Sequence, residues 1–262
     1  EGKMVQMYDH RAAAVVVNED NIMRAAQQED INGELKTQSD RYPVPQYWVS
    51  KSDVMLSFDG QWVIAYKSVT APTNMRTMIA AMLPECGVGN SMAMLLPQHE
   101  CQTDYSRWAP LLLANLCSFS FDFALRQKVQ GQNLNWFIVE QAPVIAPTDF
   151  DTRIAGGSIA DFVREQVLRL TYTAHDLKPY AQAMGYDGEP FQWDEMDRKQ
   201  RMAALDALFM HLYGIEADDA SYILDTFPIV REQDTATYGS YLTKELVLAG
   251  MAKIAAGQLP LG

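Results

Sequence analysis

The run Trp62-Val63-Ile64-Ala65-Tyr66 and, beyond Pro72, the run Met78-Ile79-Ala80-Ala81-Met82-Leu83 decide the fold class. Each is a short, continuous apolar stretch bounded by turn formers, Asp59-Gly60 and Pro72 for the first and Pro84 for the second, and reads as a strand. Ser91 to Leu96 reads as a third. Downstream the period changes: between Tyr105 and Val129, Leu112, Leu116, Phe119, Phe123 and Leu125 recur at near-helical steps, which predicts one or two helices. Upstream, Asn18 to Ser39 is polar, contains Gln27-Gln28-Glu29-Asp30 and an Asn32-Gly33 turn signal, and reads as a partly helical or mobile stretch.

A boundary is expected in Ala146 to Ser158, where Pro147, two acids and Gly156-Gly157 interrupt the periodicity. Beyond it helix signals dominate. Ser158 followed by Asp161 resembles a capping box, and Phe162, Val163, Val167, Leu168 and Leu170 then mark an apolar face. Arg198 to Tyr213 carries Met202, Leu205, Leu208, Phe209 and Leu212 at steps of three and four, with Gly214 as a stop. Two further helices fit Asp218 to Asp225, halted by Pro228, and Tyr238 to Ala256. The expected fold class is therefore α+β, a mixed strand and helix domain over residues 1–148 followed by an all-helical domain over residues 158–262. The sequence shows no repeat of fixed period and no low-complexity tract.

With 262 residues, 48% of them hydrophobic and 21% charged, and a mean hydropathy of −0.17, the chain is that of an ordinary globular protein, not collagen, coiled coil or wholesale disorder. Its formal charge of −12 argues against a surface that attracts polyanions everywhere, yet the charge is unevenly spread. Residues 61–148 carry five bases and five acids, whereas residues 149–262 carry 10 and 18. A chain that opens on Glu1, with no signal pattern after it, is expected to be an excised piece of something longer. Three cysteines, Cys86, Cys101 and Cys117, fit reduced thiols in the cytoplasm better than a disulfide framework. The most apolar stretch, Ala109 to Leu125, is too short and too polar to cross a bilayer, so no membrane span is expected.

Catalytic motifs are scarce in the sequence. Gly87-Val88-Gly89 has Met92 where a dinucleotide fingerprint has its third glycine, and reads as a turn between strands. Cys86, His99, Cys101 and Cys117 have zinc-ligand types without the paired spacings. Gly89-Asn90-Ser91-Met92-Ala93 lacks the last glycine of a nucleophile elbow. Asp20 with Glu34-Leu35-Lys36 matches a metal nuclease only loosely and reads as a solvated charged face. His175 and His211 read as packing residues, and methionines such as Met75, Met78, Met82, Met92 and Met94 as core filling.

What remains is a polar inventory. Lys67, Asn74, Arg76 and Thr77 flank predicted strands, and Arg126-Gln127-Lys128-Val129-Gln130-Gly131-Gln132-Asn133-Leu134-Asn135 is a dense run of bases and amides. Arg and Lys suit guanine edges and phosphates, and Asn and Gln pair bidentately with adenine, so the run suits base readout in a groove as well as it suits a solvated loop. Asn74 and Arg76 fit equally a strand or turn that they hold together. His10, between Asp9 and Arg11, fits a phosphate contact or a turn.

The same residues carry a family resemblance. Ala65-Tyr66-Lys67-Ser68-Val69-Thr70, Thr73-Asn74-Met75-Arg76-Thr77-Met78 through Pro84, and Gly87 to Asn90 resemble a segment of large adenine-specific DNA methylases of the fused restriction–modification (type IIG) class and related phage-defence systems. Leu112 to Lys128 with Gly131, Asn133-Leu134-Asn135 and Gln141-Ala142-Pro143-Val144 is similar to the next segment of that family. Leu212-Tyr213-Gly214, Tyr222 to Pro228 and Tyr238-Gly239 resemble its tail, and Glu1 to Met4 with Tyr8-Asp9-His10-Arg11 the start of its target-recognition region. Cys117 stands where the family often has Asn, and Ala142 where an aliphatic residue usually precedes Pro143.

The resemblance implies a DNA target-recognition domain with a helical extension, a double-stranded DNA partner, and an upstream methyltransferase domain that binds S-adenosylmethionine, with no cofactor in this stretch itself. Whether the parent also cleaves DNA stays open, and no catalytic residue is assigned here. The DNA contacts expected are Lys67, Asn74, Arg76, Arg126, Lys128, Gln130, Gln132 and Asn133, with Lys3, His10 and Arg11 as phosphate contacts. Tyr222, Asp225 and Phe227 are expected to pack and cap the tail. The competing expectation is a protein-interaction module whose acidic helical half docks a partner subunit of a defence complex.

Overall fold

A computed structural model describes residues 1–16, 27–54, 61–98, 104–154 and 157–261. Asp20, His99, Cys101 and Gly156 lie outside the described residues. In chain order the elements are β1 (Ala13–Val16), β2 (Gln27–Asp30), α1 (Gly33–Lys36), β3 (Trp62–Lys67), β4 (Ala80–Pro84), β5 (Met92–Leu95), α2 (Tyr105–Cys117), α3 (Phe119–Arg126) and α4 (Trp136–Val139). They continue with β6 (Arg153–Ile154), β7 (Gly157–Ser158), α5 (Ile159–Thr171), α6 (Lys178–Ala183), α7 (Glu195–Leu212), α8 (Ala217–Asp225), α9 (Pro228–Tyr238) and α10 (Leu242–Ala255). The fold is α+β. It divides into two compact units, residues 1–69, 79–109 and 168–194 in the first, and residues 70–78, 110–167 and 195–262 in the second.

The first unit is built on an antiparallel sheet of order β4-β3-β5, with Ala65 opposite Ala81 on one side and Met94 on the other. Alternation sorts the central strand: Val63 and Ala65 join Val5, Ala81, Leu83 and Met92 in one cluster. On the other face Trp62 stacks on Tyr105 at 4.9 Å and meets the edge of Tyr180 at 5.2 Å. Both faces are covered, which is why β3 reads as a continuous apolar run and not as an alternating one. The polar stretch before it forms β2, paired with β1, and α1, where the Asn32 side chain accepts the Leu35 N–H as an N-cap.

The second unit is helical. The α2–α3 pair is bent by 61° at Ser118, whose hydroxyl accepts the Phe121 N–H and so starts α3. Ser158 caps α5 in the same way through the Asp161 N–H. α10 lies against α7 at Gly250, where an added Cβ would come within 2.7 Å of the Ala207 side chain. Gly214 and Gly239, at φ 67° and 81°, close α7 and α9 in the left-handed conformation that suits glycine. The tail departs from expectation at Pro228, which opens α9 at its first position, where a missing N–H costs nothing. The expected helix from Tyr238 accordingly starts later, at Leu242. Among the described residues no single helix is long and apolar enough to cross a membrane.

Candidate functional site

The residues flagged by sequence separate into those spent on the fold and those presented outward. In the first unit, Arg11 is fully buried and its guanidinium donates to four backbone carbonyls, Lys36 at 2.6 Å, Gln38 at 2.7 Å, Thr173 at 2.7 Å and Arg41 at 3.2 Å. Asp9 accepts from the Arg11 N–H and from Lys36 Nζ, and buried His10 bonds Asp176 at 2.8 Å. Burial pushes the Asp176 carboxyl up, but the charge and hydrogen bond of His10, with Arg11 behind, bring it below the usual carboxylate range. The Tyr8-Asp9-His10-Arg11 string is thus a clasp over distant backbone, and this geometry turns His10 and Arg11 inward, away from any phosphate.

In the second unit Arg76 is 4% exposed. Its guanidinium lies 3.3 Å from the Phe119 ring centroid and 3.5 Å from Asp206. Asp122 accepts the Thr77 and Met78 N–H groups at 2.8 and 3.1 Å and pairs with Arg126, which covers the Phe227 ring at 3.8 Å. Nearby, Asn115 donates to the Tyr213 hydroxyl and accepts the Ile145 N–H, while that hydroxyl donates to the Pro143 carbonyl. Separated blocks of sequence thus meet in two polar clusters, a buried one around Arg76, Asp122 and Asp206 and a more open one around Asn115 and Tyr213. Arg76 is buried there, with one guanidinium nitrogen unpartnered among the described residues, and Arg126 is tied to Asp122, so both are placed in the interior where a base contact was expected. Phe227 packs as expected, Asp225 pairs with Lys244, and Tyr222 is exposed instead of packed.

The remaining candidates of this unit come together on one loop. Val129 and Leu134 are buried, and the Gln132 carbonyl accepts the Thr70 N–H at 2.9 Å. Pinned at those points, the loop turns Lys128, Gln130, Gln132 and Asn133 outward around an open cavity of about 630 Å³ that Asn135, Phe137, Ile138 and Gln141 also line. Lys128 Nζ donates to the Gln141 carbonyl at 2.8 Å and ties the start of the loop to the residues that follow α4. Gln130, Gln132, Asn133 and Asn135 make no side-chain hydrogen bond to other described residues. Among the described residues no acid lines this cavity. Trp136 and Phe137 stand 67% and 51% exposed beside it, a feature the Trp-Phe pair inside a polar run signals. Asn74 is exposed, and its side-chain amide donates to the Thr70 hydroxyl at 3.4 Å.

Lys67 and Lys3 line a different cavity, of about 350 Å³, in the first unit. His175 and His211 are exposed, not packed. Gly87 lies against Val49 in the β4–β5 connection, which is an irregular loop between strands separated by β3 and not the turn expected. No group of three His, Cys, Asp or Glu side chains placed for a metal occurs among the described residues. No protein-family model matches the chain, and no curated protein or solved structure is significantly similar to it.

Proposed function

We propose that the chain is the target-recognition region of an adenine-specific DNA methyltransferase of a restriction–modification or phage-defence system, and that it reads duplex DNA with the loop from Lys128 to Asn135. One observation carries the reading: in a chain of net charge −12, this loop gathers a lysine and four amides, unengaged by other described side chains, around a cavity that no described acid lines. Bidentate amides recognise adenine and a lysine meets guanine or phosphate, and these groups stand where a groove can reach them. Methyl transfer with S-adenosylmethionine is assigned to an upstream domain of the same cytoplasmic protein, by resemblance. A base to be methylated must leave the stack, so the recognition region grips the flanking duplex.

The test is fluorescence anisotropy of the 262-residue chain with a labelled duplex pool at low salt. Saturable binding that weakens about tenfold or more in the Gln130→Ala, Gln132→Ala, Asn133→Ala triple variant supports the reading. Binding unchanged by the triple substitution refutes it. A second reading, docking of a partner subunit, draws on the exposed apolar strip Tyr47, Trp48 and Val49, each at least 60% exposed. It gains ground if Trp48→Ser abolishes capture of a subunit of the same system while DNA binding is absent from the wild type.

A further inference from the structure

We propose that the cavity lined by Lys3, Lys67, Gln28 and Ser91 in the first unit is a binding site for a phosphate-type oxyanion, with Lys67 as its charged anchor. Its assignment to a phosphate of duplex DNA rests on the reading above; its chemistry does not.

Strand pairing places the anchor. Lys67 ends β3 opposite Met92, and its N–H donates to the Ile79 carbonyl at 2.9 Å, so the base of the side chain is held by the sheet. The side chain is half-buried and makes no ion pair or hydrogen bond to another described residue. Burial pushes its ammonium pKa down, and the charge of Asp30 restores only part of the loss. An ammonium withdrawn from water without a contact partner is costly, and an entering anion removes that cost.

The other two charged side chains that line the cavity, Glu1 and Lys3, pair with each other, and Asp30 stands outside its lining. Glu1 accepts the Gln46 N–H at 2.8 Å through one carboxylate oxygen and pairs with Lys3 at 3.5 Å through the other. Of the two lysines lining the cavity, Lys67 is the one without an ion pair to another described residue. Ser91 Oγ accepts the Gly2 N–H at 2.9 Å, which leaves its own hydroxyl proton to donate. Gln28 hydrogen-bonds Asp30 with its amide nitrogen, which has a second N–H to offer. Two ammonium groups, a hydroxyl and an amide around about 350 Å³ suit the several acceptor oxygens of a phosphate monoester or diester. Lysine serves such a group as a point charge.

The test follows the backbone amides of Gly2 and Ser91 by NMR while inorganic phosphate is titrated into the full chain at low ionic strength. Saturable shifts are expected in the wild type and in Lys67→Arg, with affinity at least about tenfold weaker in Lys67→Met and several-fold weaker in Ser91→Ala. No saturable shift in the wild type, or phosphate bound as tightly by a folded Lys67→Met as by the wild type, overturns the proposal. Should Lys67→Met fail to fold, Ser91→Ala carries the decision, and affinity equal to the wild type overturns it likewise. Competition then identifies the source. Displacement of phosphate by a short duplex assigns the site to the DNA backbone, and displacement by a nucleoside monophosphate alone assigns it to a small anion, both keeping the oxyanion site. Phosphate binding with no DNA binding by the chain at all refutes the DNA reading and leaves this site standing.

Discussion

Arg76 and Lys128 are both cations in runs that suit nucleic-acid contact, and the structure gives them opposite work. Arg76 is held between the Phe119 ring and Asp206, while Lys128 is exposed at the mouth of an open cavity. The partner of Arg76 makes the difference measurable. Burial pushes the Asp206 carboxyl up to about 6, against the pull of Arg76 and the Phe119 N–H. Below about pH 4 the carboxyl is protonated whether the chain is folded or unfolded and contributes no pH dependence. From there to about pH 6 the unfolded chain releases the proton and the folded one keeps it, so stability falls as pH rises, by about 3 kcal/mol in all. Urea denaturation across that window is expected to show this slope in the wild type and not in Asp206→Asn; parallel curves contradict it. Asp122→Ala is expected to cost about 3–5 kcal/mol, because it strands Arg126 and two buried N–H groups. A loss below about 1 kcal/mol in calorimetry counts against the network.

The loop from Lys128 to Asn135 separates its two tasks residue by residue. Leu134 is fully buried, so Leu134→Ala is expected to cost about 2–5 kcal/mol, whereas the Gln130, Gln132, Asn133 triple alanine variant is expected to stay within about 1 kcal/mol of the wild type. Equal destabilisation by both, read from thermal melts, contradicts the division into anchor and reader. Much at this scale was legible in the sequence, since β3, β4, α2, α3 and α7 announce themselves through apolar runs whose period survives folding. Pro228 misled because the same residue that stops one helix also starts another, and only the course of the chain decides. The Arg11 clasp was illegible for a different reason: its acceptors are main-chain carbonyls, among them Thr173, which carry no residue-type signal. Arg76 misled because Asp206 comes from a helix far along the chain.

The whole molecule carries a charge of −12, and the distribution matters more than the total. Residues 149–262 hold most of the excess of acids, while among the described residues none that lines the cavity at the amide loop is acidic. Association with DNA is therefore expected to depend on a few cations, so that Lys128→Ala lowers the slope of log affinity against log salt by roughly one. A slope unchanged by that substitution, measured between 50 and about 200 mM salt by anisotropy, removes Lys128 from the phosphate contacts. The measurement that tests the central claim most directly is selection of bound sequences from a randomised duplex library, run in parallel on the wild type and on the folded Gln130, Gln132, Asn133 triple alanine variant. A single enriched motif for the wild type, lost or relaxed in the variant, is the expected result. The same motif enriched equally by both, or no motif from the wild type, contradicts it.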